Sequence, residues 1–308
     1  MRIAVMGSGG VGGYFGARLA QGGCEVAFVA RGAHGAAMRS QGLRVTSALG
    51  DLHLPAPFVT EDPREIGRAD LVLFGVKLWD TEAAVRAIEP LVGPDTAVIS
   101  FQNGVVKDEL LRAILGESAV AGGAAYIAAT IAEPGVIAHT GTLQRLVFGE
   151  YDGRRSERLQ RFHAACLRGG IDAQLDEAIA RTVWEKFVFL VGLSGATAAT
   201  RATIGAVRAH PAARRLLAGL MQEALEVGRA EGVALAPEFA EDRLRFCDTL
   251  PEGMTSSMHH DLQRGHRLEL EWLSGDVCRR GERLGVATPV NRTVSDVLAL
   301  HANGAAAR

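Results

Sequence analysis

The first half of the chain alternates short apolar runs with amphipathic helical segments. Runs of strand length, each predicting a β-strand, lie at residues 3–6, 25–29, 43–46, 57–60, 69–75, 96–101, 119–129, 135–139, 144–149 and 171–175. Between several of these runs the apolar residues recur with helical spacing, as at residues 80–91 and 156–169. This alternation is typical of βαβ units and therefore predicts a mostly parallel sheet with helices packed on it.

The pattern is helical throughout the second half. Apolar positions with helical spacing lie at residues 178–199, 212–230, 238–247, 269–284 and 291–301. The change of period predicts a domain boundary between residues 175 and 176. We therefore expect the α/β fold class, with a Rossmann-type, doubly wound, mostly parallel sheet over residues 1–175 and an all-α domain over residues 176–308.

A glycine motif follows the first predicted strand directly and precedes a predicted helix. In this context Gly7 permits a tight turn, Gly9 lets the backbone approach a pyrophosphate, and Gly12 lets the helix pack closely on the strand. The N-terminus of the helix adds free N–H groups and a partial positive charge. The alternative is an ordinary turn in another kind of α/β protein. The loop residues expected to bind a dinucleotide cofactor are Gly7, Ser8, Gly9, Gly10, Val11 and Gly12.

Arg31, just beyond the second predicted strand, indicates which dinucleotide the chain prefers. Rossmann proteins that use NAD place an acidic residue near this position, where it binds the ribose 2′-hydroxyl. The chain has arginine there, with no acidic neighbour in sequence. Because a guanidinium can pair with a 2′-phosphate, we expect NADP(H) rather than NAD(H). The alternative is a surface arginine in a loop.

Polar residues follow two later strands, where ligands bind in open parallel sheets. Lys77 comes two residues after the run at 69–75, and Asn103 two residues after the run at 96–101. Asp80 and Thr81 are expected to cap the intervening helix. The alternatives are a solvated lysine that opens this helix and an Asn-Gly pair that only forms a turn.

The helical half contains further candidates. Lys186, early on its first long helix, can act as a general acid, although its spacing alone favours a surface lysine. Ser256 and Ser257 precede a helical turn, so their hydroxyls can cap it or bind a carboxylate. Glu269 and Glu271 open the next predicted helix, where the helix dipole favours acids, and residues two apart cannot share a helix face.

Composition limits the remaining classes. A formal net charge of −2, with 22% charged and 48% hydrophobic residues, gives no electrostatic reason to expect a nucleic-acid or membrane partner. No apolar run has the length of a bilayer span. No histidine or cysteine spacing is typical of a metal site. We expect reduced structural thiols in a cytoplasmic protein, with paired disulfides as the alternative; the cysteines are Cys24, Cys166, Cys247 and Cys278.

Taken together, these features resemble the ketopantoate reductase (2-dehydropantoate 2-reductase) family over nearly the whole chain. The resemblance is carried by the glycine loop, Arg31, Val76-Lys77, Asp80-Thr81, Gln102-Asn103-Gly104, Trp184-Glu185-Lys186, Ser256-Ser257-Met258-x-x-Asp261, Glu269-x-Glu271, Gly275 and Thr288-Pro289. It implies an active site in the cleft between a Rossmann domain and a helical domain. The implied reaction is reduction of 2-dehydropantoate to pantoate with NADPH, a step towards coenzyme A.

The resemblance also implies residue roles. Lys186 would be the general acid on the keto oxygen, and Glu269 would hydrogen-bond the substrate and orient the lysine. Ser257 would bind the substrate carboxylate, Asn103 would lie between nicotinamide and substrate, and Lys77 would lie near both. Lys77, Asn103 and Glu269 are thus also expected to contact the cofactor.

The chain departs from the family pattern at four positions. Leu190 and Ser194 stand where the family has asparagines, Ser274 replaces another asparagine, and Glu271 replaces an aspartate. Two alternatives therefore stay open: a reductase of the same fold acting on a different 2-keto acid, and a non-catalytic NADP(H)-binding sensor. The expected partner is a small-molecule 2-keto acid, and the helical half has enough apolar surface for a homodimer.

Overall fold

The computed structural model describes residues 1–305; residues 306–308, at the end of the predicted second domain, lie outside it. The chain forms two compact units. Unit 1 contains Met1–Asn103 and Lys107–Thr182, and unit 2 contains Gly104–Val106 and Val183–Arg308. Unit 1 is a sheet with helices and unit 2 is helical, so the predicted fold class is confirmed. The domain boundary after residue 175 stays a prediction.

The sheet of unit 1 has ten strands. They are β1 (Arg2–Met6), β2 (Glu25–Val29), β3 (Leu43–Ser47), β4 (Leu52–Leu54), β5 (Phe58–Thr60), β6 (Leu71–Phe74), β7 (Ala97–Ser100), β8 (Val120–Glu133), β9 (Val136–Gly149) and β10 (Asp172–Leu175). Their order is β4-β3-β9-β8-β7-β6-β1-β2-β5, and β10 pairs with β9 off this path. From β8 to β5 every neighbouring pair is parallel. The carboxyl ends of β1, β6 and β7 therefore lie side by side.

Twelve α-helices complete the described chain. They are α1 (Gly10–Gln21), α2 (Gly32–Gln41), α3 (Thr81–Ile88), α4 (Val106–Leu115), α5 (Glu157–Arg168), α6 (Ile179–Thr200), α7 (Ile204–Ala209), α8 (Pro211–Ala230), α9 (Phe239–Cys247), α10 (Ser257–Gln263), α11 (Ser274–Leu284) and α12 (Pro289–Leu298). Four elements were not predicted from the sequence: α2, α4, α7 and β4. The apolar pattern is weak in the short elements α7 and β4 and in the glycine- and alanine-rich α2.

Strand β1 shows why the central strands are apolar at nearly every position. Ile3 and Val5 belong to one core cluster, whereas Ala4 and Met6 belong to the other. The first cluster includes Tyr14 and Phe15 of α1 and Phe162 of α5, and the second includes residues of α3 and α4. A parallel strand covered by helices on both faces loses the alternation that marks a half-exposed strand.

Two predicted strands, at residues 135–139 and 144–149, are in fact one. Strand β9 runs for 14 residues and pairs antiparallel with β8, with irregular register near Ala129 and Glu133. The prediction of a turn between them was wrong, because residues 140–143, Thr-Gly-Thr-Leu, have a composition that suits a turn but continue the strand. They are exposed in a long hairpin, where a strand needs no apolar face.

The predicted helix at residues 269–284 is also broken. A 3₁₀ turn covers Leu270–Trp272, Leu273 takes φ −110° and ψ −101°, and α11 begins after it. Leu268, Leu270 and Leu273 are all buried. The apolar spacing therefore reflects burial of an irregular segment as well as a helix face.

Glu223, on α8, determines where α12 begins. Its two carboxylate oxygens accept the amides of Val290 and Asn291 at 2.7 and 2.8 Å, and the Asn291 side chain donates to it at 2.8 Å. Pro289 is the first helical residue, where a missing N–H has no cost. A carboxylate at the positive end of a helix is favourable. The Thr288-Pro289 motif thus has a structural explanation.

His34, on α2, joins the glycine loop to the β8–β9 hairpin. Its Nδ1 accepts the Gly135 amide at 3.1 Å, and its Nε2 lies 2.9 Å from the Ser8 carbonyl oxygen. Because a backbone N–H can only donate, Nδ1 must be unprotonated, and the proton is on Nε2, which donates to the Ser8 carbonyl oxygen. Burial lowers the pKa of His34 below 6.5, and the hydrogen bond to Ser8 opposes this only in part. The native contacts therefore require a neutral imidazole.

This geometry predicts a pH-dependent stability. Since the pKa of His34 is lower in the folded than in the unfolded chain, the unfolded chain binds the proton more readily. The contribution of His34 to the free energy of unfolding is therefore complete above about pH 6.5 and is lost as the pH falls towards the folded pKa.

Urea unfolding between pH 8 and pH 5.5 measures the effect. The free energy of unfolding of His34→Gln, which keeps a donor but does not titrate, should depend less steeply on pH. His53→Gln, at an exposed histidine bonded to the Gln41 carbonyl, is the control. Identical slopes for the wild type and His34→Gln would refute this account.

Candidate active site

The glycine loop connects β1 to α1. Gly7 has φ +96°, and a Cβ there would lie 2.6 Å from the Val76 nitrogen. The backbone conformation and the lack of space for a side chain therefore each require glycine at this turn. A Cβ on Gly12 would lie 2.2 Å from the Gly7 carbonyl oxygen. Gly10 approaches β8 as closely, because its Cβ would meet the Ala129 carbonyl oxygen at 2.1 Å. A Cβ on Gly9, in contrast, would have no neighbour within 4 Å, so the backbone there is open to a ligand.

The N-terminus of α1 suits an anion. Gly9 is its N-cap residue and supplies no side-chain acceptor, and the first turn, all of it within the described residues, contains no acid. Ser8 donates both its hydroxyl and its amide to the Val29 carbonyl, at 3.1 and 3.3 Å. Its side chain thus holds the loop instead of pointing out of it. Open backbone at Gly9 beside an uncapped helix end fits a dinucleotide pyrophosphate.

Arg31 lies two residues beyond the end of β2 and is exposed, with its side chain 71% accessible. One guanidinium nitrogen lies 3.4 Å from the Asp80 carboxylate, a residue that is remote in sequence. Asp80 occupies the N-cap position of α3, as predicted, but its side chain makes no cap hydrogen bond. An exposed ion pair contributes about 0–1 kcal/mol, so an incoming anion can replace it at small cost.

Lys77 and Asn103 leave the sheet at neighbouring strand ends. In the parallel register, Phe74 at the end of β6 pairs with Ser100 at the end of β7. Each candidate lies three residues further along the chain. Lys77 is exposed, with Nζ 5.4 Å from the ring centre of Trp79, and Asn103 is half-buried. The fold thus brings together the glycine loop, Lys77 and Asn103, which belong to three separate parts of unit 1.

Lys107 was missed by the sequence reasoning. Its side chain is 1% exposed, and Nζ donates to the Ser100 carbonyl at 2.9 Å, the Gly123 carbonyl at 3.2 Å and the Asp108 carboxylate at 2.9 Å. The compact ammonium thus joins the end of β7 to β8. One signal was available: only three of the 33 basic residues in the chain are lysines, at positions 77, 107 and 186. Lysine and arginine are not interchangeable, so a rare lysine in an arginine-rich chain can indicate a position where an ammonium group is required.

Lys186 lies on α6, which is anchored by aromatic packing in unit 2. The rings of Trp184 and Phe187 pack edge to face at 5.4 Å, and Trp184 packs on Gly228 of α8. Leu190 and Ser194 follow Lys186 at intervals of four residues and so share its helix face. Lys186 and Leu190 are half-buried. The Ser194 hydroxyl is buried and has no hydrogen-bond partner within residues 1–305.

Ser257 is the exposed first residue of α10. The preceding residue, Ser256, caps the helix as predicted, because its hydroxyl oxygen accepts the His259 amide at 3.1 Å. Ser256 also lies 2.9 Å from the Thr197 hydroxyl, and His259 Nδ1 lies 2.9 Å from the Thr197 carbonyl. Two polar contacts therefore fix the start of α10, and with it Ser257, against α6.

The two glutamates differ in their surroundings. Glu269 is buried, whereas Glu271 is exposed and lies 3.6 Å from Arg279. The spacing argument, that they cannot share a face, holds although the segment is a 3₁₀ turn. Ser274 is fully buried, and within the described part of the chain its hydroxyl has no partner. The candidates Lys186, Ser257 and Glu269 thus lie in unit 2, on α6, on α10 and in the turn before α11.

No helix within residues 1–305 is long and apolar enough to cross a membrane. In the same range, no group of three or more histidine, cysteine, aspartate or glutamate side chains is arranged to hold a metal ion.

Comparison with known proteins agrees with the motifs. Two family models match, ketopantoate reductase PanE/ApbA over residues 3–153 and ketopantoate reductase PanE/ApbA C terminal over residues 178–302.

The uncharacterized oxidoreductase YkpB of Bacillus subtilis is 30% identical, over 96% of each chain. The 2-dehydropantoate 2-reductase of Halobacterium salinarum is 33% identical, over 97% of this chain and 98% of that one. A crystal structure of 2-dehydropantoate 2-reductase from Geobacter metallireducens has a TM-score of 0.90 at 31% identity and covers 97% of this chain and 99% of that one. The chain therefore belongs to the ketopantoate reductase family and is an oxidoreductase of that family.

Proposed function

We propose that the chain reduces 2-dehydropantoate to pantoate with NADPH, a step towards coenzyme A. The observation that carries the proposal is the open glycine loop at the uncapped start of α1, in a chain that matches a 2-dehydropantoate 2-reductase over nearly its full length. A cytoplasmic location belongs to the proposal, since the cysteines are all free and buried, as expected in a reducing compartment. We also propose a small-molecule substrate, with no nucleic-acid or membrane partner.

Several residues of unit 1 would hold the cofactor. The backbone at Gly9 and the N-terminus of α1 suit the pyrophosphate, and the Arg31 guanidinium suits the 2′-phosphate. Lys77 and Asn103, at the same sheet edge, suit the nicotinamide end. The bound cofactor supplies the hydride, and the protein supplies orientation and charge.

Residues of unit 2 would act on the substrate. Lys186 holds a proton for the keto oxygen, which becomes negative as the carbonyl carbon is reduced. A cation placed there stabilises the transition state more than the ground state, and this difference is what accelerates a reaction. Ser257 donates a hydrogen bond to the substrate carboxylate. Glu269 accepts a hydrogen bond from the substrate and orients the lysine.

The second candidate function is reduction of a different 2-keto acid. Leu190 favours it, because this half-buried apolar side chain lies one helical turn from Lys186 and offers no hydrogen bond to a substrate hydroxyl. The buried Ser194 hydroxyl, two turns from Lys186, offers only one polar group. A third candidate, an NADP(H)-binding sensor without turnover, would leave Lys186 and Glu269 without a role.

Substrate choice is tested by steady-state oxidation of NADPH with 2-dehydropantoate, pyruvate and longer branched 2-keto acids. We expect the highest kcat/KM with 2-dehydropantoate. Turnover only with another keto acid would keep the reaction type and assign the chain to the second candidate. Cofactor binding without turnover of any keto acid would favour the sensor.

Lys186→Ala tests the general-acid role. Loss of a general acid typically costs about 10²–10⁴-fold, and we expect this loss in kcat with little change in NADPH affinity. Lys186→Arg should not restore activity, because a guanidinium keeps its proton. Arg215→Ala, at an exposed basic residue of α8, is the control and should keep wild-type kcat. A loss of only a few-fold in Lys186→Ala would exclude the proposed role.

Arg31→Ala tests the preference for NADPH. Hydrogen bonds to charged groups contribute about 1.5–3 kcal/mol, so the dissociation constant for NADPH should rise about 10–100-fold while that for NADH changes little. Arg39→Ala is a matched control, since Arg39 is also an exposed arginine paired with a carboxylate, Glu61, at 3.3 Å. Equal weakening of both cofactors in Arg31→Ala would show that Arg31 does not contact the 2′-phosphate.

A further inference from the structure

We propose that Gln102 is a positioning residue, which holds Lys77 and Asn103 in a fixed relation through one buried hydrogen-bond network. The inference rests on the proposed function, because it concerns two residues assigned there to the cofactor and substrate. Gln102 precedes Asn103 directly in the chain, and its side chain crosses from the end of β7 to the loop after β6.

The network uses every polar atom of the Gln102 side chain. Nε2 donates to the Val76 carbonyl oxygen and to the Thr81 hydroxyl oxygen, both at 2.9 Å. The Ser100 hydroxyl donates to Oε1 at 2.9 Å. A carbonyl oxygen can only accept, so the Val76 contact determines which end of the amide faces the loop. At 7% exposure, this amide would be costly to leave unpaired.

The same bonds restrain the backbone on both sides of Lys77. Gln102 holds the Val76 carbonyl, just before Lys77. The Thr81 hydroxyl donates to the Leu78 carbonyl at 2.8 Å, just after Lys77, and itself accepts from Gln102. The peptide just before Lys77 is therefore bonded to the Gln102 side chain directly, and the Leu78 carbonyl is bonded to it through Thr81. That side chain belongs to the residue before Asn103.

The glycine loop contacts the same segment. The Gly7 backbone approaches Val76 so closely that a Cβ on Gly7 would lie 2.6 Å from the Val76 nitrogen. Val76 therefore touches the loop that suits the pyrophosphate on one side and the Gln102 amide on the other. A displacement of Val76 would alter its contacts with both the glycine loop and the Gln102 amide. Gln102, although buried, therefore affects the geometry of the candidate site.

Glutamine is the side chain that this position requires. Two donors and one acceptor are used at once, and a shorter amide would not span the gap between the two strand ends. Because misplacement by about 1 Å can cost ~10²-fold in rate, loosening these loops should reduce turnover. The network makes no bond to a reacting atom, so Gln102 is a positioning residue and not a catalytic residue.

The first test compares Gln102→Leu with Gln144→Leu. Both glutamines are buried in unit 1, and both donate Nε2 to a backbone carbonyl at 2.9 Å, that of Gly170 in the case of Gln144. Gln144→Leu should lose less stability, because the Gln144 side chain makes one of these hydrogen bonds and the Gln102 side chain makes three. Only Gln102→Leu should lower kcat, by about 10–100-fold, because only this variant releases Lys77 and Asn103. Equal kcat in both variants, close to wild type, would overturn the proposal.

Gln102→Glu separates a hydrogen-bonding role from space filling. The carboxylate of this variant would face the Val76 carbonyl and repel it, whereas the protonated acid would regain one donor. Its kcat, relative to that of wild type at the same pH, should therefore rise as the pH is lowered from 8 to 5.5. A ratio that does not change with pH would contradict the proposed network.

Hydrogen exchange provides a readout that needs no turnover. In Gln102→Leu, and not in Gln144→Leu, the amides of residues 76–81 should exchange about 10-fold faster or more, because the tie to β7 is gone. If wild type shows no turnover but exchange responds as expected, the proposed function fails and the network stands. If wild type turns over and neither exchange nor kcat responds to Gln102→Leu, the positioning role fails alone.

Discussion

Parallel pairing of β1, β6 and β7 is the constraint on which the candidate site of unit 1 depends. In this arrangement three strands that are far apart in sequence end at one edge, and the loops after them must share the space there. The glycine loop can fit only because Gly7 and Gly12 lack side chains, since a Cβ on either would overlap backbone. The same crowding brings Val76 against Gly7 and within reach of Gln102. Buried apolar strands thus set the positions of polar groups that contribute nothing to the core.

The sequence alone predicted those features whose residues are consecutive or nearly so along the chain. Strand β1, the turn at Gly7 and the helix after it occupy consecutive residues, and their spacing alone predicts a dinucleotide loop. Ser256 was recognised as a helix cap for the same reason. The central strands β1, β2, β6 and β7 were predicted nearly to the residue, because strands covered on both faces have short, continuous apolar runs.

Other features depend on residues that only the fold brings together. Nothing near Arg31 in sequence indicates Asp80, and nothing near Gln102 indicates Val76 or Thr81. The break at Leu273 was invisible because buried leucines in an irregular segment can repeat with helical spacing. The long hairpin strand β9 was divided in two, since an exposed polar stretch has the same composition in a strand as in a turn. Local pattern is therefore informative about elements, and much less so about the side-chain networks that cross between them.

The Arg31–Asp80 pair has a consequence for how this chain can change over evolution. The two residues lie on different loops, after β2 and after β6, and neither belongs to the tightly packed glycine loop. Substitutions at Asp80 can therefore alter the charge around the guanidinium without disturbing the backbone that suits the pyrophosphate. With the role proposed for Arg31, cofactor preference is a separable trait, open to gradual adjustment at the surface while the glycine turn, which tolerates almost no change, stays as it is.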